Sequence, residues 1–320
     1  MSEFSGPKAR KTWVSDKIRK RAGNLCKNLV SARCNLPAIT PVNQGQGVIL
    51  LQLFTICFPG LGMKKLFVAA MLAALLPTVV SAAPAKMRLG IDPTFAPFES
   101  VNPQGELVGI DVDMGKSICK RIEADCEWIR MNFDGVIPAL KAKKIDGILS
   151  GMTITKEREK QVLFSDVMYA SSTRLMVPAN SEGLDTTAES LKGKTVGVVQ
   201  GTTQAAYADK HWKGQGINLV SYQNDDLAKQ DLALGRVDAT LQDAAAATIF
   251  FDSPDGKNFK LVGTPVSDAE VFGNGNGIGL RKEDTELKGK IDKALADMKK
   301  DGEYAKILEA YKKYGIKEHE

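Results

Sequence analysis

The stretch Ser150–Glu159, SGMTITKERE, holds the side chain whose position asks most of its surroundings. Arg158 falls in what reads as the first turn of a helix, where the partial positive charge of the N-terminus disfavours a cation. Its guanidinium is a planar fork of donors suited to a carboxylate. Asp92 in GIDPTF, Thr202 and Thr203 in QGTTQ, and Asp243 in TLQDA stand at comparable junctions. Helix starts present unpaired backbone N–H groups and hydroxyl caps to an anion, and the two aspartates can each accept from an ammonium group. A ligand with one carboxylate and one or two ammonium groups satisfies this set, and an amino acid fits that description.

Taken singly, each residue has a plainer role. Arg158 stands among Lys156, Glu157 and Glu159 and reads locally as part of a solvated charged turn. Thr202 and Asp243 read as helix N-caps, Asp92 before Pro93 as a turn starter, and Phe95 and Phe133 as core. His211 and His319 are the only histidines, and no Ser-His-Asp set, HExxH motif or metal-spaced cluster occurs. Binding is therefore expected in place of turnover, with no catalytic residue, metal or cofactor.

The elements that must position these residues alternate along the chain. MRLGI, CEWIRM, IDGILSGM, TRLMVPA, TVGVVQG, INLVSYQ and DATLQD read as strands. IDVDMGKSICKRIEA places Ile110, Met114, Ile118 and Ile122 on one helical face. FDGVIPALKAKK reads as a helix capped by Asp134, and TTQAAYADKHW, DDLAKQDLALGRV and AAAATIFF as further helices. One long helical end from Thr285 carries Leu287, Ile291, Leu295 and Met298 as a core stripe. This alternation predicts an α/β fold, and two halves alike in style but not in sequence predict two lobes. Four strand ends open into a helix through a polar turn: at Asp92, at residues 151–158, at residues 200–204 and at Asp243. Ligands of open α/β sheets bind outside the carboxyl ends of the strands, so the convergence of these ends predicts a polar pocket.

Of 320 residues, 43% are hydrophobic and 25% charged, a globular balance, with a net charge of +5. That charge is unevenly placed. Residues 1–62 carry 9 Lys and Arg against 2 Asp and Glu, residues 63–82 carry 2 against 0, and residues 83–320 carry 32 against 36. The body is mildly acidic, which removes the main support for nucleic-acid binding. Residues 63–82, MKKLFVAAMLAALLPTVVSA, join two lysines, a short apolar run and a small-residue cleavage site, the anatomy of an export signal. The 62 residues before it keep no helical or strand period, so Met63 is expected to be the start and residues 1–62 an upstream extension outside the mature protein. A second anchor segment is the alternative. Removing the first 82 residues leaves Cys119 and Cys126, in CKRIEADC. An even pair in an exported chain suggests a disulfide, worth about 2–3 kcal/mol for so small a loop; two unpaired thiols fit the spacing equally.

From about Met87 onward the sequence resembles the periplasmic solute-binding proteins of the polar amino acid family, which serve ABC importers. The resemblance is carried by GIDPTFAPFES, GIDVDMGKSICKRIEADC, FDGVIPALKAKKIDGILSGMTITKERE, FSDVMYA, LKGKTVGVVQGTTQAAYA, GRVDATLQD and FGNGNGIGLRK. It is strongest to the lysine/arginine/ornithine-binding type, with arginine- and histidine-binding proteins near. It implies the two-lobed type II binding-protein fold, an α/β architecture with a ligand cleft between lobes joined by two crossover strands, near Ser171–Leu175 and Val271–Gly279. Residues 83–171 with 276–320 would form one lobe and 172–275 the other with its hinge strands. On matching positions Arg158 would hold the α-carboxylate, helped by Thr153 and the Thr203 amide, and Asp243 the α-ammonium. Asp92 would face a distal cationic group, Phe95 and Phe133 would sandwich the side chain, and Ser150, Gly151, Val199, Thr202 and Gln204 would complete the walls. Cys119 and Cys126 match a family disulfide.

The family further implies a monomer that works in the periplasm and delivers its amino acid to an inner-membrane ABC permease. Departures from the lysine/arginine/ornithine pattern are Phe95 for a tyrosine, and Gly151, Thr153 and Thr202 for serines. Arginine, lysine, ornithine and histidine stay open as ligands, while QGTTQ and the cysteine pair point away from glutamine. The rival readings on this scaffold are a dehydratase-like periplasmic enzyme, to which neither histidine would contribute, and a sensing domain for a signalling partner.

Overall fold

Strand Ala85–Ile91 buries Met87, Leu89 and Ile91 while Gly90 packs close to Ile145, the pattern of a strand covered on both faces. It lies second in a five-stranded sheet whose order is Ala124–Arg130, Ala85–Ile91, Gly147–Ile148, Gly279–Leu280, Leu163–Phe164. All but Gly279–Leu280 run parallel. The computed structural model describes residues 85–319, within the compact unit Ser81–Glu320; the expected export signal and the upstream extension lie outside the described residues.

A second sheet repeats the plan: Asn218–Tyr222, Thr195–Val199, Ala239–Asp243, Thr173–Pro178, Phe259–Val266, with Thr173–Pro178 antiparallel to both neighbours. In each sheet the reversed fourth strand is the segment that has just arrived from the other sheet. The two sheets therefore trade one strand, which yields the two-lobed type II architecture. The chain crosses at residues 165–172 and returns at residues 267–278. The crossings run side by side, the Met168 amide donating to the Asn276 carbonyl and the Asn276 amide to the Tyr169 carbonyl, both at 2.8 Å. The C-terminal segment adds a third member, with Ala170 and Lys317 exchanging backbone hydrogen bonds at 2.8 and 3.1 Å.

Each lobe has apolar cores on both faces of its sheet, as strand alternation requires. In the first lobe, helix Ile110–Arg121 buries Ile110, Met114 and Ile118 beside Ile291, Leu295 and Met298 of the C-terminal helix, while Val136, Leu140, Ile145 and Ile148 fill the other face. In the second, Leu175 and Val177 pack toward Trp212 and Ala208, whereas Met176 turns to Leu232 and Ala247. Each fully buried side chain of this size stabilises by about 1.5–3 kcal/mol. Cys119 and Cys126 form a disulfide, Cα–Cα 6.1 Å, tying the end of helix Ile110–Arg121 to the edge strand.

Four local expectations need correction. The turn at Asp92 opens no helix but a three-stranded antiparallel sheet, Thr94–Phe95, Glu99–Val101 and Leu107–Val108, and the first helix after it starts only at Ile110. Asp134 caps no helix; a 3₁₀ turn at Phe133–Gly135 leads into Val136–Lys141, and neither start has a side-chain cap bond. The turn instead lets the Phe133 amide reach Asp92. IDGILSGM is a strand only at Gly147–Ile148, because the chain then bends at Gly151, φ 54, whose amide leaves the ladder for the Asp111 carboxylate at 2.6 Å. The C-terminal helix is two, Thr285–Asp301 and Glu303–Tyr311, separated by Gly302 in the left-handed region, a conformation that glycine adopts without strain.

Candidate functional site

The carboxyl ends of both sheets face one cleft. All twelve residues expected at the site line it: Asp92, Phe95, Phe133, Ser150, Gly151, Thr153 and Arg158 from the first lobe, and Val199, Thr202, Thr203, Gln204 and Asp243 from the second. Thr94, Glu99, Asp225, Leu241 and Gln242 line it as well, and reading the sequence missed these five. Asp225 had a legible signal, since NDD after NLVSY repeats the strand-turn-helix plan of the junctions at residues 151–158, at residues 200–204 and at Asp243. Glu99 had none, because its partners are 51 and 12 residues away in the chain.

Arg158 lies in the one-turn helix Lys156–Glu159, its amide donating to the capping hydroxyl of Thr155 at 3.2 Å. The residue is 8% exposed, and its guanidinium donates to two backbone carbonyls, Thr153 of its own lobe at 2.8 Å and Gly201 of the other at 2.9 Å. The Phe133 ring lies 5.3 Å from its central carbon, a cation–π contact. Burial alone pulls its pKa down to about 10, with no acid acting against that shift. The group stays charged at neutral pH. A buried cation without a counter-ion is unfavourable by several kcal/mol, so the cleft is arranged for an anion.

Across the cleft the aspartates show the complementary state. Asp243 caps helix Ala244–Phe251, accepting from the Ala245 amide at 2.8 Å and from the Ser171 hydroxyl. Burial pushes it up to about 6, and no cation acts against that. Asp92 accepts from the Phe133 amide at 3.1 Å and from the Thr94 amide and hydroxyl at 3.2 and 2.8 Å, yet burial still raises it. Both are buried acids with hydrogen bonds and no paired cation among the described residues. Thr202 caps helix Thr203–His211 through the Ala205 amide at 3.1 Å; Thr203, its first residue, has no intrahelical acceptor for its own amide. Gln204 is fixed by Thr173 at 3.0 Å.

Beneath the first-lobe wall runs a chain of buried polar groups. The Asp92 amide donates to Ser150 at 3.0 Å, and the Ser150 hydroxyl to Glu99 at 2.6 Å. Tyr169 donates to Asp111 at 2.5 Å. Burial, together with the neighbouring Asp111, pushes Glu99 well above the ordinary carboxyl range. Burial raises Asp111 to about 6. The chain sets Ser150 and Gly151 in place before any ligand arrives. A Cβ at Gly151 would stand 3.1 Å from the Phe95 ring, so two of the four positions that depart from the lysine/arginine/ornithine pattern adjoin each other. His211 bonds Asp268 at 2.7 Å away from the cleft, and His319 lies beside Gly275. Among the described residues no group of three His, Cys, Asp or Glu is arranged to hold a metal, and no helix is long and apolar enough to cross a membrane.

Comparison with known proteins bears on the family and the fold. The family of bacterial extracellular solute-binding proteins, family 3, matches residues 87–314. The histidine-binding periplasmic protein of Escherichia coli K12 is 47% identical over 253 residues, 78% of this chain and 97% of that protein. The lysine/arginine/ornithine-binding periplasmic protein of the same strain is 45% identical over 258 residues, 79% and 99%. An ancestral arginine-binding protein bound to arginine superposes with a TM-score of 0.66 at 39% identity, covering 72% of this chain and 99% of its own. The form bound to glutamine gives 0.66 at 40%, with coverage of 71% and 97%.

Proposed function

The chain belongs to family 3 of the bacterial extracellular solute-binding proteins, and from that premise we propose that it binds a cationic L-amino acid in the periplasm and delivers it, as a monomer and without turnover, to an ABC permease complex of the inner membrane. The observation that carries the reading is Arg158, a buried guanidinium held by carbonyls of both lobes and lacking an anion. The ligand α-carboxylate supplies that anion, with the Thr153 hydroxyl and Thr203 amide beside it. Asp243 takes the α-ammonium. Those two pairings leave Asp92 without a counter-ion, between Phe95 and Phe133, and a cationic side chain completes the balance. Val199, Thr202, Gln204, Ser150 and Gly151 close the walls. Relatives named for binding histidine, lysine, arginine and ornithine support the same ligand class.

Binding from both lobes implies a hinge cycle in which an open cleft captures the ligand and closes over it. The mature protein on this reading starts after the export signal at 63–82, without residues 1–62, and its lobes are 83–171 with 276–320, and 172–275. A thermal-shift screen of residues 83–320 against the common amino acids tests it, since a ligand bound only by the folded form raises stability as RT ln(1 + [L]/Kd). Arginine, lysine, ornithine or histidine should give the largest rise. A rise with none of them, or a larger rise with a neutral amino acid, contradicts it.

A further inference from the structure

Asp225 brings a fourth acid to the cleft, from an element that none of the expected site residues occupies. It begins helix Asp225–Ala233 of the second lobe, a position where the helix N-terminus favours a carboxylate. It is 3% exposed and lines the same void as Asp92 and Thr94. Its helix packs against the strand Thr94–Phe95 of the first lobe, so Asp225 approaches the aspartate from the facing wall. Repulsion from its charge contributes to raising both Asp92 and Asp243. Lys229, one turn on, pairs with it and lies 5.2 Å from the centre of the Phe250 ring, which fixes the carboxylate to its own lobe.

We propose that Asp225 is a specificity-determining residue that joins Asp92 in a two-carboxylate acceptor, selecting a side chain that ends in a guanidinium over one that ends in an amide or a compact ammonium. The inference rests on the reading of the cleft as an amino-acid site. A guanidinium is planar and donates in several directions at once, so it can serve carboxylates on two opposed walls while lying between the faces of Phe95 and Phe133. An amide donates from one side only and turns its acceptor oxygen toward the other carboxylate, which is left unpaired, and that is unfavourable in a dry site. An ammonium is compact and strongly hydrated and bridges two walls less well.

Calorimetry with arginine, lysine and glutamine on the mature chain tests this in the wild type, in Asp225→Asn, and in Asp225→Asn with Lys229→Met, which leaves no lone buried lysine. Asp225→Asn should weaken arginine binding by about tenfold or more, about 1.4 kcal/mol. Lysine binding should fall less, and glutamine binding by less than about threefold, with the double variant agreeing. Unchanged ratios among the three ligands in both variants overturn the inference alone. A wild type that binds none of the three contradicts the amino-acid reading and the inference with it.

Discussion

The first sheet carries arginines at both of its ends. Where strand Ala85–Ile91 begins, Arg88 grips Asp146 with two donors at 2.9 Å each, and Arg281 reaches the same carboxylate at 3.3 Å and Asp284 at 2.9 Å. Burial raises Asp146, and the two guanidiniums more than reverse this, leaving it below the usual carboxylate range. Where the sheet ends, Arg158 is more deeply buried and has only carbonyls. Same residue type, same lobe, opposite bookkeeping of charge: the lower end is neutralised by the chain itself, while at the upper end the chain supplies Arg158 with carbonyls and no carboxylate among the described residues.

The widest separation between the two ends is expected from single substitutions. Arg158→Ala should lower ligand affinity by at least about a hundredfold, within the roughly 3–5 kcal/mol that breaking a buried pair costs, without lowering the ligand-free melting temperature. Asp146→Asn should do the reverse, destabilising by about 1–3 kcal/mol with affinity held within about threefold. Calorimetry and thermal melts on both variants check the pair. Equal affinity losses would erase the distinction between the two ends.

The pH dependence sharpens it next. Burial raises Asp243 to about 6, and on the proposed reading the ligand ammonium needs it ionised. Affinity should be flat above that value and fall as pH drops through it, by up to about tenfold per unit. Stability of the ligand-free protein moves the other way. Raised carboxyls such as Asp243 and Asp111 bind protons more tightly folded than unfolded, so their contribution is present at low pH and is lost as pH rises through about 6. Calorimetry and melts between about pH 7 and about pH 4.5 should show affinity falling over the window in which these groups add stability. Asp243→Asn should flatten the affinity curve.

The smallest effect expected is at Gly201, whose carbonyl receives Arg158. Its φ is 75°, and a Cβ there would stand 3.1 Å from Asp134 Cα on the opposite lobe. Gly201→Ala adds strain of about 1–2 kcal/mol to the closed form. Affinity should fall by about tenfold, with small-angle scattering showing a more open ligand-bound protein.

Much of this was legible in the sequence for a definite reason. Arg158, Thr202 and Asp243 each stand where an apolar run stops and a helix begins, Asp92 stands where one stops ahead of the short strand Thr94–Phe95, and strand ends of one sheet share an edge. Whether each is a plain cap is settled only by what faces it. Thr202 and Asp243 do cap their helices and line the cleft as well, so the two readings were never alternatives. The buried set of Glu99, Ser150, Asp111 and Tyr169 was illegible because it joins residues up to 58 positions apart, and no local period records such a contact. Asp225 was passed over because two aspartates opening a helix look like ordinary N-terminal charge. Gly302 was passed over because the apolar stripe continues on its far side.

The central claim is that the anion missing from Arg158 is the α-carboxylate of the ligand. Calorimetry of the wild type and Arg158→Ala, each with the preferred amino acid and with its decarboxylated amine, tests it most directly. The wild type should prefer the amino acid by about a hundredfold or more, and Arg158→Ala should shrink that preference to below about threefold. An Arg158→Ala variant that weakens both ligands by the same factor, keeping the preference intact, would contradict it.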